Sequence, residues 1–119
     1  MNWRLPDKKE LNFMYWNLHK KEIGSFTDTF YWSSSDTIAS FAWSQNFCNG
    51  YQNYVHKYLT LWVRYVRTFQ SDKNYKIEDK TKTGIIFYKD GVNYKECKFK
   101  DEGVCNWHDA MKLFEEYCN

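Results

Sequence analysis

The sequence predicts an α+β domain: two helices packed on a small, twisted, mostly antiparallel sheet with long loops. Three observations predict it. Helical stripes lie near both ends of the chain, short aromatic and β-branched runs separated by turn dipeptides fill the interval, and 119 residues suffice for one hydrophobic core. The expectation is therefore a single domain over residues 1–119.

The first helix is predicted over about 8–21. Asp7 follows Pro6 and precedes Glu10 by three, a capping-box spacing with Asp in the Ser/Thr place. Leu11, Met14, Tyr15 and Leu18 then recur on one face, Lys8, Lys9, Lys20 and Lys21 take the wet side, and Gly24 stops the run. Strands are predicted at 30–33, 42–47, 59–66, 84–89 and 93–99, each rich in aromatic or β-branched residues. Asn49-Gly50 and Asp90-Gly91 are hairpin dipeptides, because both tolerate the positive φ of tight primed turns. The stretch 70–83 mixes Lys73, Lys76, Lys80 and Lys82 with Asp72, Glu78 and Asp79 without apolar period, and reads as an exposed linker. The second helix opens at Asn106, with Asp109 three residues on, and sets Ala110, Leu113, Phe114 and Tyr117 along one face.

Composition removes several function classes. Lys plus Arg total 17 against 15 for Asp plus Glu, and a net charge of +2 is too weak a field for a nucleic-acid partner. Apolar runs such as 84–88 fall far short of the roughly 20 residues that cross a bilayer, so membrane insertion is not expected. Residues 1–6 lack the basic start, apolar stretch and small-residue cleavage site of a secretory signal. Aromatic residues make up 21% of the chain, 6 Trp, 10 Tyr and 9 Phe, more than a core of this size can hide. The surplus points to a recognition surface, where large rings are useful rather than costly.

Trp3-Arg4-Leu5-Pro6-x-x-x-Glu10-Leu11, Tyr31-Trp32-Ser33-Ser34-Ser35, Ala42-Trp43, Asn46-Phe47, Asn49-Gly50 and Val63-Arg64-x-Val66-Arg67 occur in that order between Trp3 and about Phe69. Together they resemble the C-terminal domain family of Legionella-type collagen-like proteins, and the resemblance implies a C-type-lectin fold. Residues 84–88 and Cys105-Asn106-Trp107-x-Asp109-Ala110 resemble the opening strand and first helix of that family, which ordinarily precede the Trp-Arg-Leu-Pro motif. Here they follow the last strand. Because the first and last strands of a C-type-lectin fold lie side by side, the resemblance implies a circular permutation joined through 70–83, with strand 84–89 pairing to strand 59–66 of its own chain. A slice across tandem copies, completed by strand exchange in a swapped dimer, is the alternative.

Between the family-like words of segment 36–65 stand Thr37, Ile38, Ser40, Phe41, Ser44, Cys48, Tyr51, Tyr54, Val55, His56, Tyr58, Leu59, Trp62 and Tyr65. No single chemical requirement unites them. The interleaving resembles the variable region of target proteins of diversity-generating retroelements, in which adenine-directed mutagenesis replaces residues on a ligand-binding face. An AAC codon altered at its adenines yields every residue of this set except Trp62, which an AGG codon yields. The resemblance implies a ligand-binding face of Phe41, Ser44, Tyr51, Tyr54, His56, Tyr58, Trp62 and Tyr65, on a core of Trp3, Leu5, Leu11, Trp32, Trp43, Phe47 and Val63. Tyr and Trp suit a paratope because they bring rigid area with a polar tip. Strand alternation sends only every second side chain outward, and the sequence leaves that parity open.

Other chemistries find less support. Calcium-dependent sugar binding by C-type lectins uses oxygen ligands near a loop proline, but the only proline is Pro6, and neither Glu-Pro-Asn nor Gln-Pro-Asp occurs. Formylglycine-generating enzymes, relatives of that fold, need two active-site cysteines, and Cys48 stands alone in the corresponding half. Cys105-x-x-His108 is half a zinc spacing. No phosphate loop, Ser elbow or convergent carboxylate pair appears. The four cysteines permit three pairings: Cys97 with Cys105 is the most local, Cys105 and Cys118 would lie about 18 Å apart on a continuous helix, and Cys48 is expected free. The expectation is a non-catalytic module without metal or cofactor that contacts a protein or glycan, at a cell surface, outside the cell or on a virion. An adhesin-type structural domain, in which the same rings drive homo-oligomer formation, is the second reading, and a formylglycine-type enzyme the third.

Overall fold

Asp7 and Glu10 form the capping box that their spacing predicts. Glu10 N donates to Asp7 Oδ1 (2.7 Å) and Asp7 N donates to Glu10 Oε1 (2.9 Å), satisfying two backbone N–H groups at the opening of α1 (Lys8–Asn17). Leu11, Met14, Tyr15 and Leu18 are buried, as their period requires. The α-helix ends at Leu18 and a 3-10 turn, His19–Lys21, carries the chain to Glu22 in the left-handed region (φ 63°), so the α-helix is shorter than 8–21, the 3-10 turn fills the remainder, and Glu22 rather than Gly24 is the stop. The computed structural model describes residues 2–37 and 39–118, with backbone only at 113–118.

Among the described residues eight strands follow: β1 (Phe30–Asp36), β2 (Phe41–Asn46), β3 (Gln52–His56), β4 (Leu61–Val63), β5 (Val66–Gln70), β6 (Ile85–Asp90), β7 (Asn93–Cys97) and β8 (Gly103–Cys105), before α2 (Trp107–Cys118). They form a five-stranded sheet, β3-β2-β1-β4-β8, and a three-stranded sheet, β5-β7-β6. All pairings are antiparallel except β1 with β4. The class is α+β, as predicted. Both dipeptides close hairpins: Asn49-Gly50 joins β2 to β3, and Asp90-Gly91 joins β6 to β7.

The run 59–66 is not one strand. It breaks at Arg64 and Tyr65, whose side chains both turn inward, and the chain crosses from the larger sheet (β4) to the smaller (β5). Strand 84–89 does not pair with it either: β6 pairs with β7, and β7 pairs with β5. The stretch 70–83 is exposed, yet it is pinned rather than loose. Glu78 N donates to Ile86 O and Ile86 N to Asp79 O, both at 2.9 Å, while the Tyr75 ring stands edge-on to Tyr94 at 5.3 Å. Thr81 and Thr83 hydroxyls donate to Glu96, a fully buried carboxylate that also pairs with Arg67 (2.5 Å).

One core lies beneath α1 and gathers Leu11, Met14, Tyr15, Leu18, Tyr31, Phe47, Val66, Ile85, Phe87 and Cys97. The other gathers Trp3, Leu5, Trp32, Ala42, Leu61, Val63, Tyr65, Trp107 and Ala110. The indoles there are anchored as well as packed: Trp32 Nε1 donates to Cys105 O (2.8 Å) and Trp107 Nε1 to Ser33 O (2.9 Å). Ala110 is buried as expected, whereas the predicted stripe residues Leu113, Phe114 and Tyr117 lie outside the described side chains. At Gly84 a Cβ would stand 2.2 Å from Cys97 O, so the close approach of the two chains there needs glycine. We expect Gly84→Ala to lower stability by about 1–3 kcal/mol, read as a lower urea midpoint at unchanged slope.

Candidate functional site

The β2–β3 hairpin settles the parity that the sequence leaves open. Its register pairs Phe41 with His56, Trp43 with Tyr54 and Gln45 with Gln52 on one face, and Ala42 with Val55 and Ser44 with Asn53 on the other. The second face looks into the core: Ala42 is fully buried and Ser44 Oγ donates to Asn53 O at 3.0 Å. The first face is covered by α1 over part of its length only. Gln45 Nε2 donates to Asn12 Oδ1 (2.9 Å), Gln52 Nε2 donates to Lys8 O (2.7 Å), and Lys8 Nζ sits 3.4 Å above the Trp43 ring. Since α1 begins at Lys8, the sheet outruns the helix beyond Trp43.

What the helix leaves bare is a row of rings. Trp43 meets Tyr54 edge-on at 5.2 Å, Tyr54 meets Phe41 edge-on at 5.9 Å, Phe41 lies 4.4 Å from His56, and His56 lies 4.9 Å from Tyr58. Tyr54 and Tyr58 are 58% and 73% exposed, and Tyr51 near the hairpin tip is 71% exposed. Edge-on contacts hold the rings in place while leaving their faces to solvent. The tip is itself braced by the helix: Gly50 has φ +86°, and a Cβ there would stand 2.7 Å from the Tyr15 ring.

Beyond Tyr58 the row opens into a depression of about 370 Å³ lined by Ala39, Ser40, His56, Lys57, Tyr58, Asn106 and His108. Its cation is already engaged. Lys57 Nζ pairs with Asp36 (2.7 Å), donates to Ala39 O (3.0 Å) and lies 4.4 Å from the Trp107 ring. The hydrogen bond from Lys57 also holds the Asp36 carboxyl below its ordinary range.

Four of the eight expected face residues therefore share one surface: Phe41, Tyr54, His56 and Tyr58. Four do not. Tyr51 is exposed, but it stands opposite Asn46 and so has the alternation of Asn53 and Val55, on the other side of the hairpin. Ser44 points to the core face of β2 and is 1% exposed. Tyr65 is fully buried where the chain changes sheets, and its hydroxyl donates to Ala110 O (2.9 Å). Trp62 is half-buried against the core beneath α1, because its partner across the ladder is Tyr31. In the opposite direction, Trp43 belongs to the ring row rather than to the core assigned to it. The signal for Trp43 was present in the sequence: two strands joined through Asn49-Gly50 bring 43 opposite 54 once the turn is placed.

A second depression, of about 420 Å³, lies between the 3-10 turn and the β2–β3 connection and is lined in part by His19, Asp28, Phe47 and Cys48. His19 Nε2 lies 2.7 Å from Asp28 Oδ1 and its ring stacks on Phe47 at 5.3 Å. Cys48, Cys97 and Cys105 are free thiols. Burial pushes the Cys97 thiol up to about 12 and raises that of Cys105, which disfavours the thiolate at both. Among the described residues no three His, Cys, Asp or Glu side chains converge to hold a metal ion, and no helix is long and apolar enough to cross a membrane. Comparison with protein-family models, with curated proteins and with solved structures finds no significant match for this chain.

Proposed function

We propose that the chain is a non-catalytic binding module whose contact surface is the ring row on the β2–β3 hairpin. One observation carries the reading: Phe41, Trp43, Tyr54, His56 and Tyr58 form a continuous aromatic surface on a hairpin anchored at its tip and on its core face. Rings fixed by mutual contacts lose little conformational freedom on binding, which favours affinity per unit of buried area. The ligand is a protein or glycan, since rings with polar tips serve both peptide side chains and sugar faces.

The frame we read as a C-type-lectin-like domain in permuted order. Supporting it, β7 pairs antiparallel with β5, the last strand of the family-like segment, and Trp3 packs in one core with Trp107 and Ala110. Segment 36–65 we read as the diversified part. Tyr51, Tyr54, His56 and Tyr58 can change there without disturbing Trp32, Val63 or Tyr65 beneath. A neighbouring reverse-transcriptase gene, with a near-copy of this coding segment differing at adenines, is the genomic result expected.

The protein-level test is the double variant Tyr54→Ser/Tyr58→Ser. Each exposed position should change stability by no more than about 0.5 kcal/mol. Binding to ligands selected from a glycan array or a displayed peptide library should fall by about tenfold or more. A loss of several kcal/mol in stability, or selected ligands that bind the variant undiminished, would remove the proposal.

A further inference from the structure

The sheets have four outer edges, and the chain treats them differently. The edge of β6 is closed by its own return segment, through Glu78 N to Ile86 O, Ile86 N to Asp79 O and Thr81 N to Gly84 O (2.8 Å). The edge of β5 is held at Val66 by a reciprocal pair of bonds with Arg4 (2.9 and 2.8 Å), and Arg67 places a charge beside it. β8 is only three residues long. Caps, charges and short length are the usual defences of an edge against another strand. β3 has none of them. It is a five-residue edge, Gln52-Asn53-Tyr54-Val55-His56, without proline or formal charge. Among the described residues, no backbone group of 52–55 is bonded other than toward β2, while at the end of the strand His56 O accepts from Leu59 N (3.1 Å).

We propose that this edge pairs with the β3 edge of a second copy, joining two five-stranded sheets into one across a two-fold axis at Tyr54. The occupant follows from the residues. Antiparallel pairing about Tyr54 sets Gln52 opposite His56 of the second copy and Asn53 opposite its Val55, so the edge is complementary to itself, as an isologous contact demands. No formal charge opposes another along the register, and Lys57, which follows the strand, is paired with Asp36 (2.7 Å). Side chains of the ring row stand out of the sheet plane while the edge bonds lie in it, so pairing leaves the row open and places two rows side by side. A ligand with repeated epitopes then gains avidity from a dimer that needs no further contact. Two five-residue edges bury less than about 1,200 Å² in total, so the dimer is weak and concentration-dependent.

The pairing rests on the ring row facing outward, and its test keeps the two ideas apart. Sedimentation velocity of the full chain should show a reversible dimer appearing between about 10 μM and about 1 mM. Hydrogen exchange of the unaltered chain should show the outward-facing amides of Gln52, Tyr54 and His56 gaining protection over the same range, because those of Asn53 and Val55 already face β2. Tyr54→Lys, checked for folding by circular dichroism, sets like charges opposite one another at the axis and should stay monomeric throughout, whereas Tyr58→Ser should still dimerise. A chain monomeric at about 1 mM, a dimer that forms without protection of the Gln52, Tyr54 and His56 amides, or one that survives Tyr54→Lys overturns the pairing. Loss of the dimer in Tyr58→Ser would assign association to ring stacking and overturn it equally. In each of these cases the ligand-face reading stands or falls by the Tyr54→Ser/Tyr58→Ser experiment alone.

Discussion

Arg64→Ala is expected to cost about 3–5 kcal/mol, which for a domain of this size is a large part of the total stability. The guanidinium is fully buried and fully employed. Nε donates to Asp101 Oδ1 (2.7 Å), Nη1 to Gly24 O (2.8 Å) and Lys98 O (3.0 Å), Nη2 to Ser25 O (3.2 Å), and its plane lies 4.0 Å from the Phe26 ring. Asp101 in turn accepts from the Tyr31 hydroxyl (2.7 Å), and that hydroxyl accepts from Thr27 N (2.8 Å). One side chain thus ties the loop after α1, the β4–β5 crossing and the loop after β7. Truncating it strands a carboxylate and three carbonyls in a space that water does not fill readily. Arg64→Lys should recover only part of the loss, because one ammonium cannot reach a fork of partners spread over three segments. Arg64→Met with Asp101→Leu should recover more, since replacing both charges leaves neither unpaired. Urea titrations of the four proteins decide it, and a single-variant loss under about 1 kcal/mol would show that these bonds are not what holds the loops.

The second large effect is at Glu10. Its carboxylate, 2% exposed, receives both Arg4 Nη groups (2.6 and 2.7 Å), the Lys95 ammonium and the Asp7 N–H. Burial by itself raises a carboxyl pKa; here the hydrogen bonds from Arg4 and Lys95 outweigh it and bring Glu10 down to about 2. A lowered folded-state value means that ionised Glu10 stabilises the fold fully above its unfolded value near 4.5, and that the contribution is lost as pH falls from there toward about 2. Glu10→Ala is expected to cost about 3–5 kcal/mol at neutral pH, by leaving two cations without their carboxylate and removing half of the capping box. The same variant should flatten the fall in melting temperature between about pH 4.5 and about pH 2. Parallel slopes for the variant and the parent across that window would assign the acid sensitivity to other carboxylates.

These two residues also mark where reading along the chain succeeds and where it stops. Glu10 was legible as the fourth member of a capping box, a relation among residues three apart, and the box is present. Its second role, receiving Arg4 and Lys95, joins it to a lysine of β7 that lies 85 residues along the chain, which no local pattern announces. Arg64 stood in a family-like word, but a charged residue between Val63 and Tyr65 reads as an outward position of a strand. Its burial ends that strand and makes 59–66 two elements in two sheets. The same event buries Tyr65, so an aromatic expected on the surface became core.

The ring row divides along the same line. That 21% of the chain is aromatic, and that Tyr51, Tyr54, His56 and Tyr58 cluster after an Asn-Gly turn, could be read directly, because composition and turn chemistry are local properties. Which rings face water could not, because period-two alternation has two phases of nearly equal merit in a segment where both carry large side chains. The phase is set by the pairing of β3 with β2 and by α1 starting at Lys8, so that Gln45 is covered and Phe41 is not. Helix, turns and class were therefore the sequence's own doing. The location of the surface, and the burial of Ser44, Tyr65, Arg64 and Glu10, belong to contacts between segments far apart in the chain, whose energies exist only once the fold has brought them together.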